Sequence, residues 1–394
     1  MASVGGYGAQ MTAEGRWIGR AQALERLGVK TQTLYAYVSR GRITAQPDPA
    51  NPRRSLYCAD DIARLLGDAP TPSLPLRRAP LRGELELRSS VGHLADGRIF
   101  YRGLDAIQLA GHATLEDAAR RMWDARDTNP FALTKPRVDA VTGVSIRTRL
   151  FATLARRAEE DGSSLDQDAP TLHQVAASVL NEAVDAAAGP GPRLHFHQRL
   201  ARGWKVLDRD AHLIRRALVL AADLGMDAPA IAARAVAQDG APLSGAALAG
   251  LTTLVGSSLS REVAQAAAWV VEARRDPLGA SARRRAAGGL IPGFGDPAWP
   301  DGDPRARALI DAADLPRDLI GVIQHGETIM EARPTFPMAL AILARRLDLP
   351  RDGALELLML GKLAGLLAHA IDQRIDGSPI RVRLRYVGPE PGAN

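Results

Sequence analysis

Apolar residues recur at helical spacing over most of the chain. Ile18, Ala21, Leu24 and Leu27 fall on one face of a first helix, and Gly28 ends it in a short turn. Leu34, Tyr35 and Val38 give a second helix, opened after Val29 by Thr31 as a candidate N-cap and closed at Gly41. Arg42-Ile43, a turn-rich stretch from Pro47 to Pro52, and the run Arg53-Arg54-Ser55-Leu56-Tyr57 predict a two-stranded wing. Asp60-Asp61-Ile62 then starts a third helix ending near Leu66, and the Pro- and Gly-rich stretch after it reads as a partly extended linker. Beyond the linker the period shortens. Leu85 and Leu87 alternate with Glu84, Glu86 and Arg88, Asp96-Gly97 supplies a turn, and Ile99 and Tyr101 follow, which predicts a short β-hairpin. From Leu104 onward the helical period returns, for example over Leu115 to Ala125, Val144 to Glu160, Leu213 to Leu224, Ala246 to Leu254, Val263 to Arg274, Pro337 to Leu347 and Leu355 to Ile371. Clusters such as Gly189-Pro190-Gly191-Pro192 separate these segments.

Composition sharpens this mainly helical picture. Aromatic residues make up 4% of the 394 residues, and the abundance of Ala and Leu favours helix over sheet. The content of 46% hydrophobic and 24% charged residues is ordinary for a globular chain and excludes disordered and collagen-like classes. The single cysteine, Cys58, excludes an intrachain disulfide and, by itself, a cysteine-based zinc site. No run of about 18 apolar residues is expected to cross a membrane. The first residues lack the apolar centre of a secretory signal, so a cytoplasmic location is expected. His195 and His197 are the tightest histidine pair, and with no further ligand nearby in sequence no metal site is expected.

Charge is concentrated at one end. Arg16, Arg20, Arg26, Lys30, Arg40, Arg42, Arg53 and Arg54 are opposed only by Glu25 and Asp48 up to Tyr57, so this segment carries +6, the whole excess of the chain. A compact basic module is the footprint of phosphate binding. A helix, a Gly-containing turn and a second helix form the helix-turn-helix pattern. Residues Trp17 to Leu66, carrying LGVKTQTLYAYVSRGRI, RRSLY and DDIARLL, resemble a MerR-type winged helix-turn-helix domain. The resemblance implies double-stranded DNA as a partner, with Lys30, Gln32, Thr33, Tyr35, Arg40, Arg42, Arg53 and Arg54 as the candidate contacts. Winged helices also serve as protein-docking modules.

Three separated motifs carry a second resemblance. LRSSVGHLADGRIFYRGLDAIQLAGHATLEDAARRMW, LIPGFGDPAWPDGDPRARAL and GLLAHAIDQRIDGSPIRVRLRYVGPEP occur in the order found in the citrate synthase family. The chain resembles a short bacterial subgroup of that family with an added helix-turn-helix. The implied organisation is a terminal segment 1–15, a winged helix-turn-helix 16–66, a linker 67–80 and an all-α citrate synthase-like domain 81–394. Within the last, 81–245 and 346–394 would form a large subdomain and 246–345 a small one.

The family reaction joins acetyl-CoA to oxaloacetate. It needs a carboxylate to take a methyl proton, a histidine to hydrogen-bond the enol oxygen, a second histidine at the oxaloacetate carbonyl, and arginines on the substrate carboxylates. The corresponding slots hold Ser244, Asp296 and Thr335. A segment that usually carries two more histidines reads Ala221-Ala222-Asp223-Leu224-Gly225, so none of the eight histidines falls in a catalytic slot. Arg305 and Arg381 match arginines that bind substrate carboxylates, whereas Pro300 stands where a basic contact to coenzyme A is common. Arg283, Arg284 and Arg285, read as a loop, are weaker candidates for the phosphates of coenzyme A.

Thr335 cannot accept a proton near neutral pH, and losing a general base typically costs about 10² to 10⁴ in rate. An ionised Asp296 repels a dicarboxylate, and it is placed either to cap the following turn or to pair with Arg305. The resemblance therefore implies a homodimeric, catalytically degenerate regulator that binds DNA and senses a coenzyme A thioester or small carboxylate, with no other cofactor. Two alternatives stay open. One is an active citrate or 2-methylcitrate synthase using unusual groups. The other is a pseudoenzyme that pairs with an active citrate synthase.

Overall fold

The computed structural model describes residues 17–39, 43–48, 51–59, 61–62, 87–132, 134, 143–189, 192 and 194–380. The chain divides into two units, Met1–Glu84 and Leu85–Asn394.

In the first unit, β1 (Trp17–Gly19) leads into α1 (Arg20–Leu27) and α2 (Thr31–Ser39), followed by β2 (Ala45–Asp48) and β3 (Asn51–Cys58). Gly28 takes φ 63°, a left-handed conformation suited to glycine, and its N–H closes α1 on the Leu24 carbonyl. The strands form one antiparallel sheet in the order β1-β3-β2. The segment Trp17–Gly19 is too short for its alternation to show in the sequence, and it adds a third strand to the two expected. Pro47, read as part of a turn, lies within β2, an edge strand where its missing N–H leaves no ladder bond unmade. Ile18, Ala23, Leu34, Ile43, Tyr57, Ala59 and Ile62 form the core of this unit. The Asp61 carboxylate accepts the Thr44 N–H at 2.7 Å, which ties the segment after β3 back to the start of the hairpin.

The second unit opens with β4 (Gly92–Ala95), β5 (Arg98–Tyr101) and β6 (Leu104–Asp105). Asp96 and Gly97 make the two-residue turn, both with positive φ (49° and 68°), as a type I′ hairpin requires. The strand that enters the turn is Gly92–Ala95, and Leu85 lies outside the described residues. A two-residue loop pairs Ala95 with Arg98 and so Gly92 with Tyr101, which leaves Leu87 without regular structure.

Fourteen α-helices follow among the described residues: α3 (Ala106–His112), α4 (Leu115–Met122), α5 (Ile146–Glu160), α6 (Ala169–Ala188), α7 (Phe196–Gly203), α8 (Ala211–Leu220), α9 (Ala228–Gln238), α10 (Leu243–Val255), α11 (Ser258–Ala273), α12 (Pro277–Ala286), α13 (Pro304–Ala312), α14 (Arg317–Met330), α15 (Phe336–Arg346) and α16 (Gly353–Asp376). Side-chain caps start many of them, including Asp105, Thr114, Ser145, Asp168, Asp227, Ser257, Asp276 and Asp303. Helix α16 is the axis. It is buried from Gly353 to Ile371 and packs against α4, α6, α8, α9, α10, α11 and α15.

Close approach to α16 depends on missing side chains. A Cβ on Gly365 would lie 2.0 Å from the Ala222 carbonyl oxygen, and one on Gly361 2.6 Å from that of Leu218. No membrane span was expected, yet α16 is long and apolar enough to cross one by length and mean hydropathy (1.6), and its apolar stretch is entirely buried within the protein. A second apolar cluster gathers Trp269, Val270, Ile291, Phe294, Val322, Met338 and Ile342 from α11, α14, α15 and the loop before α13.

Candidate functional site

The loop Ile291–Asp303 is shaped by three glycines with positive φ, Gly293 (83°), Gly295 (75°) and Gly302 (103°). It is laced to the segment before α15: Thr335 donates its N–H to the Gly293 carbonyl at 2.9 Å, and Gly295 donates to Arg333 at 3.0 Å. Thr335 is thereby fixed at the start of α15, almost fully buried.

Its hydroxyl faces a carboxylate that no sequence motif pointed to. Glu262, in the first turns of α11, accepts the Gly293 N–H at 3.1 Å and the Thr335 hydroxyl at 3.4 Å, both through Oε1. Burial pushes the Glu262 carboxyl up, the Gly293 and Thr335 donors pull it back, and the negative charges of Asp296 and Asp303 add to the rise.

Arg305 is held by Asp303. The carboxylate takes Nε at 3.0 Å and Nη2 at 2.7 Å in a bidentate fork, accepts the Arg305 N–H at 2.9 Å, and accepts the Phe336 N–H at 3.1 Å. The guanidinium lies between the rings of Trp299 and Phe336, 4.7 Å from each centroid. Its third nitrogen, Nη1, is enclosed and has no partner.

Asp296 does not pair with Arg305. It is half-exposed and accepts the Ala298 N–H at 2.9 Å, capping the turn that leads to Trp299. Ser244 sits in the first turn of α10, fully buried, with a hydroxyl that reaches no partner. Arg381 lies outside the described residues.

A separate charged network runs through the core. Asp223 receives His369 Nε2 at 3.1 Å and Lys362 Nζ at 3.3 Å, and Lys362 also reaches Asp227 at 2.9 Å. Arg234 donates to His369 Nδ1 at 3.4 Å and to Gln373 at 3.0 Å, and it pairs with Asp372. His369 thus bridges Arg234 at Nδ1 and Asp223 at Nε2. Burial alone would push the Asp223 carboxyl up, but Lys362 and His369 hold it well below the usual carboxylate range. Asp223 lay in a segment already noted for its missing histidines. Lys362 and His369 were missed, although a lysine and a histidine two turns apart on one face of an otherwise apolar helix are a legible signal.

The three consecutive arginines are not in a loop. They form the last turn of α12, which begins at the Asp276 cap and Pro277. Arg283 lies near Glu272 and Asp276, and Arg284 donates to Gln265 and the Leu290 carbonyl. Of the candidate nucleic-acid contacts, Lys30, Gln32, Tyr35 and Arg54 are exposed and Thr33 is half-buried. Arg20 donates to the Tyr35 hydroxyl at 3.3 Å. Arg40, Arg42 and the side chain of Arg53 lie outside the described part. Away from the cleft, His195 stacks on His197, and its Nδ1 lies 3.5 Å from Glu116 Oε1.

Known proteins share this fold. The family model for the citrate synthase C-terminal domain matches residues 126–383. Among solved structures, citrate synthase from Thermotoga maritima superposes with a TM-score of 0.61 at 19% identity, covering 77% of this chain and 94% of that one. The ternary complex of carboxymethyl coenzyme A and oxaloacetate with citrate synthase from Thermoplasma acidophilum gives 0.59 at 16% identity, with the same coverage. The family match spans well over half of the sequence, and the chain belongs to the citrate synthase family.

Proposed function

We propose that this citrate synthase-family protein is a homodimeric, DNA-binding regulator whose larger domain binds a coenzyme A thioester or small carboxylate without converting it. One observation carries the reading. The three slots where the family's chemistry needs proton-transfer groups hold a buried, unpartnered Ser244, a turn-capping Asp296 and a hydroxyl at Thr335. The first unit supports the DNA partner through two helices joined across Gly28, a β2–β3 hairpin, and exposed Lys30, Gln32, Tyr35 and Arg54.

The test has two arms. Purified protein with acetyl-CoA and oxaloacetate is expected to release no thiol above background. Binding to DNA upstream of its own gene is expected to outcompete bulk DNA and to weaken steeply with salt. The variant Lys30→Ala/Arg54→Ala should flatten that salt slope by about one unit for each of the two side chains that meets a phosphate.

A second reading is favoured by Glu262. Its carboxylate touches Thr335, so an active condensing enzyme would use Glu262 as the base that Thr335 cannot be. Turnover in the thiol assay that Glu262→Gln abolishes would establish this reading over the first.

A further inference from the structure

Helix α2 carries no charge of its own. Thr31–Ser39 reads TQTLYAYVS, without an Asp, Glu, Lys or Arg. Leu34 is fully buried and fixes the helix on the core of the first unit. Gln32 and Tyr35 stand three residues apart on one side of the helix, both exposed, Tyr35 by 49%. A protein-docking face would expose a run of apolar side chains, whereas Ala36, Tyr37 and Val38 are half-buried. Exposed Lys30, just before the helix, and exposed Arg54 on β3 give the same unit positive charge.

Tyr35 does not swing freely. Arg20, the exposed first residue of α1, donates from Nη1 to the Tyr35 hydroxyl oxygen at 3.3 Å. The buried Tyr57 of β3 hydrogen-bonds Ser55 and feels the charge of both Arg20 and Tyr35. The two helices and the second strand of the hairpin thus converge on this one pair.

The bond sets what the hydroxyl can do. Arginine has donors and no acceptor, so its N–H points at the phenolic oxygen. That oxygen is conjugated with its ring and has one good acceptor direction, which Arg20 fills. The Tyr35 O–H then turns outward as a donor. In the major groove of DNA a lone donor is met best by guanine, with acceptors at N7 and O6, or by thymine, with O4. Cytosine presents only its N4 amino donor, and adenine sets an N6 amino donor beside N7. A phosphate would be served directly by the exposed Arg20. Interposing a phenol gives up charge and gains direction, which is what base reading requires.

We propose that Tyr35 reads one base of a DNA site as a hydrogen-bond donor, selecting guanine or thymine, and that Arg20 is the positioning residue that commits its hydroxyl to donating. The proposal deepens the DNA-binding reading and rests on it.

The test is selection by the full-length chain from a pool of random double-stranded DNA, followed by competition of the enriched site against bulk DNA at several salt concentrations. One position of the site is expected to hold guanine or thymine, with cytosine there binding about three- to tenfold more weakly. Tyr35→Phe should abolish this preference and leave the salt slope and the other positions unchanged, because it removes a hydroxyl and no charge. Arg20→Met should abolish the same preference, and Arg20→Lys should restore it. The double variant Arg20→Met/Tyr35→Phe should discriminate at that position as Tyr35→Phe does. Both side chains are exposed, and circular dichroism checks that each variant keeps its fold. An unchanged preference at every position in Tyr35→Phe overturns the proposal and leaves the DNA-binding reading standing. A loss spread evenly over all positions in Arg20→Met makes Arg20 a phosphate or structural contact and overturns its positioning role. Selection that enriches no sequence removes the DNA-binding reading and this proposal with it.

Discussion

Two groups of ionisable residues in the larger unit are built on opposite terms. Around α16, Asp223, Asp227 and Asp372 are matched by Lys362 and Arg234, with His369 bonded between Arg234 and Asp223. Around the loop Ile291–Asp303, Glu262 and Asp296 have no cation among the described residues, and Arg305 is already spent on Asp303 except for Nη1. The first arrangement meets the cost of burying charge with a partner for every group. The second leaves acceptors and a donor unanswered within the fold. Matched charge of the first kind specifies packing, whereas unmatched charge of the second kind remains available to something from outside.

The largest expected effect breaks the matched side. Lys362→Met leaves Asp223 and Asp227 without their cation and should cost about 3–5 kcal/mol in urea unfolding. Lys362→Met/Asp223→Asn should recover part of that loss. A single variant within about 1 kcal/mol of the unaltered protein would show that the pairs are not compensating one another.

Helix α16 also holds an unmatched group, Glu356, with one carboxylate oxygen enclosed and unpartnered. Burial, helped by Asp352, pushes its carboxyl up to about 7, against the opposing pull of Arg149 and Arg147. The folded state therefore binds this proton more tightly than the unfolded chain does. The stability it contributes is full below the ordinary carboxylate range and is lost as pH rises through about 7, an effect of roughly 3 kcal/mol. Urea midpoints of the unaltered protein and Glu356→Gln should converge at low pH and separate above neutrality, with the variant the more stable. Parallel curves would remove Glu356 from the unmatched class.

The smallest effect sharpens the other side. Asp296→Asn/Glu262→Gln removes two unpaired charges that are not fully buried, so stability at pH 8 should rise by no more than about 0.5 kcal/mol. A loss above about 1 kcal/mol would mean that these carboxylates brace the loop rather than wait for a ligand.

How much of this the residues declared depends on how local each cause is. The hairpin turn was legible because Asp-Gly tolerates positive φ at both positions, and the same two-residue loop, followed through, would have placed the first strand at Gly92–Ala95. The α12 arginines were misread although Asp276-Pro277, a cap and a first-turn proline, announces a helix. The Asp296 turn cap was one of two local possibilities and proved to be the one adopted. Glu262 was beyond reach. Its contact with Thr335 joins residues 73 positions apart through the packing of α11 on the loop, and no spacing encodes that. The Asp303 fork on Arg305 lay two residues away and was passed over in favour of Asp296.

The bare glycine contacts of α16 limit how this fold can respond to anything it binds. Advancing that helix by one turn would bring Leu357 or His369 to a place where Gly361 or Gly365 leaves room for hydrogen alone. The axle cannot slip in its bearing. Rearrangement must instead swing whole blocks around it, and such motion goes from one resting position to another with little in between.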